Sequence, residues 1–126
     1  MKKSKFVIGD LVTYNSEIHE IVQVIETEAG FEYELILRAF IREMEVSEWN
    51  NQIIPHKSTK TESELSQFEY SRPKFNLGER VRSRDNNCVV RFIQFENYHY
   101  EYHVMNETHD GSISHGWMVE EGYLSK

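Results

Sequence analysis

Three arginines stand at alternate positions, Arg80, Arg82 and Arg84. Alternate residues of a strand point to the same side. The run therefore sets up a stripe of guanidinium groups, which Arg91 extends from a neighbouring strand. Guanidinium offers paired donors that match phosphate and carboxylate oxygens, so the stripe suits a nucleic acid or an acidic partner. Two plainer readings stand beside it: an exposed face neutralised by nearby Glu and Asp, or a contact with the acidic first half of the chain. A second candidate set is aromatic. Tyr98, Tyr100 and Tyr102 alternate, and with Trp117 they suit either a cation-binding cage or a barrel core. Trp49, Tyr14 and Tyr70 fall outside the alternating set and read as exposed anchors.

Other reactive side chains carry less. His99, Glu101 and His103 share one strand face. Residues four apart on a strand are roughly 13 Å apart. Zinc holds its ligand nitrogens at about 2 Å, so the two histidines cannot share an ion. His109 and His115 fall in a loop around Asp110-Gly111. Cys88, the only cysteine, lies beside Val89 and Val90 and reads as a small buried core residue. No phosphate-binding glycine loop, nucleophile–base pair or metal-ligand spacing is present, so neither catalysis nor a cofactor is expected.

The elements that must position these residues are short strands. Phe31, Tyr33, Leu35 and Leu37 alternate with less apolar neighbours, as Tyr98 to Val104 do. Turn signals fall at Glu28-Ala29-Gly30, Asn86-Asn87, Glu96-Asn97 and Asp110-Gly111. Glu34 to Trp49 also fits a helix, with Leu37, Phe40, Ile41 and Met44 at helical spacing, but strands are preferred.

The chain also repeats itself. Lys5-Phe6-x-x-Gly9-Asp10-x-Val12 is answered by Lys74-Phe75-x-x-Gly78-Glu79-x-Val81, 69 residues on. Ile21–Ile25 answers Val89–Ile93, and Phe31–Leu37 answers Tyr98–Val104 at a spacing of 67. Met44, Val46 and Glu48 answer Trp117, Val119 and Glu121 at a spacing of 73, which places an insertion within residues 106–116. The only two prolines, Pro55 and Pro73, bracket a polar stretch between the copies. It reads as a linker or a short helix capped by Thr61 and Glu64. The expected organisation is a first repeat at 1–54, a linker at 55–73 and a second repeat at 74–126.

Composition bounds the function. Among 126 residues, 14 are Lys or Arg and 21 Asp or Glu, a net charge of −7. The expected first repeat carries 5 against 10, the linker 3 against 3, and the second repeat 6 against 8. The acid is concentrated at Glu26, Glu28, Glu32, Glu34, Glu43, Glu45 and Glu48. Such a surface repels a phosphate backbone at long range and favours a basic protein, including one that itself holds nucleic acid. No apolar stretch approaches the roughly 20 residues of a membrane helix. A single cysteine fits a reducing, cytoplasmic setting.

The repeated Lys-Phe-x-x-Gly-[Asp/Glu]-x-Val, the Tyr-rich strand and Glu121-Gly122-Tyr123-Leu124 resemble small SH3-like barrels of the Tudor, KOW and Agenet type, common in Gram-positive bacteria and their phages. The first half departs at its end, where Trp49-Asn50-Asn51-Gln52-Ile53 replaces that closing motif. The resemblance implies a mainly β chain of two tandem antiparallel barrels. It also implies a non-enzymatic protein-binding module, such as a phage or bacterial accessory or inhibitor protein. The surface expected to meet a basic partner comprises Glu43, Glu45, Glu48 and Trp49 with the tyrosines. The alternative is a nucleic-acid-associated factor using the arginine stripe.

Overall fold

The computed structural model describes residues 3–41, 57–107 and 113–126. It is mainly β. Among the described residues the helical pieces are two single 3-10 turns, and no helix is long and apolar enough to cross a membrane. The chain divides into two compact units, one made of 1–38 and 55–72, the other of 39–54 and 73–126.

The first unit opens with β1 (Leu11–Tyr14), β2 (Glu17–Thr27) and β3 (Gly30–Ile41). β1 and β2 join through Asn15-Ser16, both at positive φ, the two-residue hairpin geometry that matches strand twist. The strand β4 (Lys57–Thr61) then pairs antiparallel with β3, from Glu32↔Thr61 to Ile36↔Lys57. A 3-10 turn (Glu62–Glu64) follows, where Thr61 N donates to Glu64 Oε2 at 2.9 Å. β5 (Ser66–Gln67) returns to β1. The stretch expected to be a linker thus supplies strands of the first unit. Its polar composition is that of an exposed strand, which composition alone does not separate from a loop.

The second unit contains β6 (Arg80–Ser83), β7 (Asn86–Glu96), β8 (His99–Glu107), β9 (Ile113–Glu120) and a 3-10 turn (Glu121–Tyr123). Its hairpins turn at Arg84-Asp85 and Asn97-Tyr98, again with paired positive φ. Asn86-Asn87 opens β7 rather than forming a turn. The end of β3 belongs here: Phe40 and Ile41 pair in parallel with Gln94 and Phe95 of β7, and Phe40 stacks on Phe92 at 5.1 Å. Glu34 to Ile41 is therefore strand, and Arg42 to Trp49 lies outside the described residues.

The same core recurs in both units. Phe6, Val12, Ile21, Tyr33, Leu35 and Leu65 form the first cluster. Phe75, Val81, Val90, Tyr102, Val104 and Leu124 are buried in the second unit. The first five of each set stand 69 apart, and the leucines 59 apart. The tyrosine register is therefore 69, not 67, and Tyr33 matches Tyr102. The spacing then falls by ten, so the first repeat has ten more residues between its third and fourth strands. The extra length thus belongs to the first repeat and not to residues 106–116. Glu62, not Glu48, is the counterpart of Glu121.

Candidate functional site

β6 presents Arg80 and Arg82 outward and buries Val81 and Ser83. Arg84 leaves the stripe because it occupies the hairpin turn, at φ 52°. Arg80 Nη2 lies 3.0 Å from Glu107 Oε1, an ion pair with its arginine well exposed and so of small net value. Among the described residues, no carboxylate lies within ion-pairing distance of Arg82 or Arg84. Arg82 is held through its backbone, donating to Ser125 O at 2.7 Å and accepting from Ser125 N at 3.1 Å. An open groove of about 800 Å³ runs along this edge, lined by Arg80, Arg82, Asn86, Asn87, Asn106 and Lys126 with Asp85 and Glu107. Arg91 does not join it. It is half-buried, and its Nη1 donates to Met105 Sδ at 3.1 Å.

The tyrosine strand does not form a cage. Tyr102 is fully buried and Tyr100 is 4% exposed, packed on Phe95 at 5.0 Å. Only Tyr98 is open, because it sits in the β7–β8 turn. Trp117 is half-buried and its Nε1 donates to Ser83 Oγ at 3.2 Å. Tyr70 is exposed, and Lys60 Nζ lies 4.4 Å from the Tyr14 ring centre. Glu43, Glu45, Glu48 and Trp49 lie outside the described residues.

What sequence reading missed is a clasp that occurs twice. Tyr33 Oη donates to Glu62 Oε2 at 2.8 Å and accepts from Phe6 N at 3.3 Å. Tyr102 Oη donates to Glu121 Oε2 and accepts from Lys74 N at 3.0 Å and Phe75 N at 3.4 Å. Each tyrosine meets its phenylalanine edge-on, at 5.4 and 5.5 Å. Burial, followed by the neighbouring carboxylate, pushes both hydroxyl pKa values up. The sequence signal was available: Glu-x-x-Leu occurs at both Glu62–Leu65 and Glu121–Leu124.

Burial and neighbouring groups shift three other titratable side chains. Cys88 is buried, and burial raises its thiol pKa. Burial, with Arg91 nearby, lowers that of His103. His99 is raised, first by the Asn97 carbonyl and then by Glu101, whose Oε1 lies 3.2 Å from Nε2. Among the described residues no His, Cys, Asp and Glu cluster is able to hold a metal. In the first unit, Arg38 and Arg72 converge on Glu20 Oε1, and Arg72 Nη2 also donates to Gly9 O at 2.6 Å.

The exposed carboxylates of the first unit are Glu26 and Glu28 at the β2–β3 turn and Glu64 and Glu69 beyond β4. Glu26 and Glu28 are exposed, and among the described residues no cation pairs with either. A groove of about 470 Å³ adjoins the turn, lined by Lys3, Phe31, Glu32 and Glu62 among others. Divided along the compact units, charge is nearly even: 7 Lys+Arg against 10 Asp+Glu in the first, 7 against 11 in the second. The expected asymmetry came from placing the boundary at residue 54. No family model matches the chain, and no curated protein or solved structure is significantly similar to it.

Proposed function

We propose that the protein is a non-enzymatic binding module of two small SH3-like units that docks an acidic surface on a basic partner protein. The observation that carries this reading is Glu26 and Glu28 at the β2–β3 turn, exposed and without a cation among the described residues, beside a groove lined by Glu32 and Glu62 together with Lys3. Carboxylates left without cations raise the local negative potential, which steers a basic surface toward them. Tyr70, 50% exposed, adds an aromatic anchor on the same unit. The test is affinity capture from source cells, with and without nuclease. Expected is a basic protein that survives nuclease and is lost with Glu26→Lys/Glu28→Lys. Loss of every partner to nuclease overturns the reading.

A second reading is supported by the groove on β6. Arg82 and Arg84 lack carboxylate partners among the described residues, and Lys126 lines the same groove as Arg82. These groups suit a phosphate backbone, although Asp85 and Glu107 share the lining and the unit is net negative. Fluorescence anisotropy with single-stranded DNA separates the two readings. Binding that falls steeply with salt and disappears in Arg82→Glu favours the nucleic-acid factor.

A further inference from the structure

The two units differ at one sheet edge. In the second, β7 pairs with β8 along one side, with Gln94↔Glu101 and Phe95↔Tyr100. Its other side pairs first with β6, from Ser83↔Asn86 to Arg80↔Val89, and then takes Phe40 and Ile41 as a parallel strand at Gln94 and Phe95. In the first unit, β2 has β3 along one side. Its other side pairs with β1 from Tyr14↔Glu17 to Leu11↔Glu20, and Ile21 closes the ladder through Gly9 and Asp10. Beyond Ile21, no described strand covers this edge. Ile25 and Glu26 stand 69 residues before Gln94 and Phe95, at the place where the second unit receives its added strand.

The side chains fit the difference. Phe92 and Phe95 are buried, whereas their counterparts Gln23 and Glu26 are exposed, with Val24 and Ile25 half-buried between them. A bare edge invites pairing with any extended chain, and a charge on it refuses like-charged strands. Glu26, with Glu28 in the adjoining turn, therefore excludes acidic segments and selects cationic ones. The six residues that no described strand covers on this side span roughly 20 Å, enough to hold a short extended peptide.

We propose that the β2 edge from Val22 to Thr27 binds an extended, Lys- or Arg-bearing segment of a partner protein as an added parallel strand. Main-chain hydrogen bonds supply the affinity and Glu26 and Glu28 select the charge. This names the binding mode of the module proposed above and rests on that reading.

The probe is the hexapeptide Lys-Val-Lys-Val-Lys-Val, titrated into the full chain, beside two analogues N-methylated at alternate residues on opposite edges. Expected is slowed amide exchange confined to Val22–Thr27. One N-methylated analogue should bind at least about tenfold more weakly, as should the parent peptide to Glu26→Lys. If both analogues bind as well as the parent, or exchange slows only elsewhere, strand addition is overturned while a partner captured through Glu26 and Glu28 still supports the module. Exchange protection at Val22–Thr27 in the chain alone, rising with its concentration, would make the occupant a second copy and overturn the partner assignment. No binding of the peptide at low salt overturns the proposal.

Discussion

At the scale of single residues, the tyrosine hydroxyls decide more than the arginines. Tyr33 and Tyr102 each bridge a carboxylate and a backbone amide in the interior. Removing either hydroxyl takes the partner from the Phe6 or Phe75 amide and one of two hydrogen bonds from Glu62 or Glu121, which costs about 1–3 kcal/mol. Tyr33→Phe and Tyr102→Phe should each lower the urea midpoint by a corresponding amount at unchanged slope. Their pKa values give a sign as well. Burial raises the Tyr102 hydroxyl above its unfolded value near 10, so the folded state holds this proton more tightly. That contribution to stability is fully present below about pH 10 and is lost as pH rises beyond it. Equilibrium unfolding between pH 8 and 11 should show the loss, and Tyr102→Phe should flatten it. His103 works in the other direction. Its folded pKa is depressed, so stability is present above about pH 6.5 and falls as pH drops below it.

At the scale of elements, the closing segments carry the test. Leu65 and Leu124 each follow a 3-10 turn and are each 4% exposed. Leu65 lies in the polar stretch between the prolines, where a linker residue could be truncated at no cost. Because β4 and β5 complete the first unit, Leu65→Ala should cost about 2–4 kcal/mol, and Leu124→Ala about the same. Chemical denaturation of both variants checks this, and an unaffected Leu65→Ala would remove β5 from the first core. The alternating runs were legible as strands because large apolar residues at period two leave one face to bury. β4 was not legible: Lys-Ser-Thr-Lys-Thr has no apolar member, and only its pairing with β3 makes it a strand.

At the scale of the whole molecule, the units are not consecutive pieces of chain. Phe40 and Ile41 pair with β7, and Lys57 to Gln67 complete the first unit. Cutting at the prolines into 1–54 and 74–126 therefore strips both units, the first of β4 and β5, the second of the strand that stacks Phe40 on Phe92. Units of this size have little burial to spare. Both fragments should show collapsed amide dispersion by NMR while the full chain is folded. A well-dispersed spectrum from 74–126 alone would show the parallel strand to be dispensable.

The sequence by itself determined the β character, the repeated opening from Phe6 to Val12 and from Phe75 to Val81, and most of both cores. Those features follow from local alternation and from glycines placed where φ is positive, as at Gly9 and Gly78. It also placed Cys88 in the interior, and a single thiol among valines leaves little else to read. The tertiary structure alone decided the tyrosine register, because Tyr98, Tyr100 and Tyr102 satisfy the same alternation at spacings of 67 and 69. The matching buried sets, and the hydroxyl contacts of Tyr102 with Lys74, Phe75 and Glu121, separate the two. It likewise decided which strands meet, since a ladder is made by backbone groups that every residue carries. The β2 edge that no described strand covers, and the proposed binding mode that follows from it, became visible only once the parallel strand on β7 was seen.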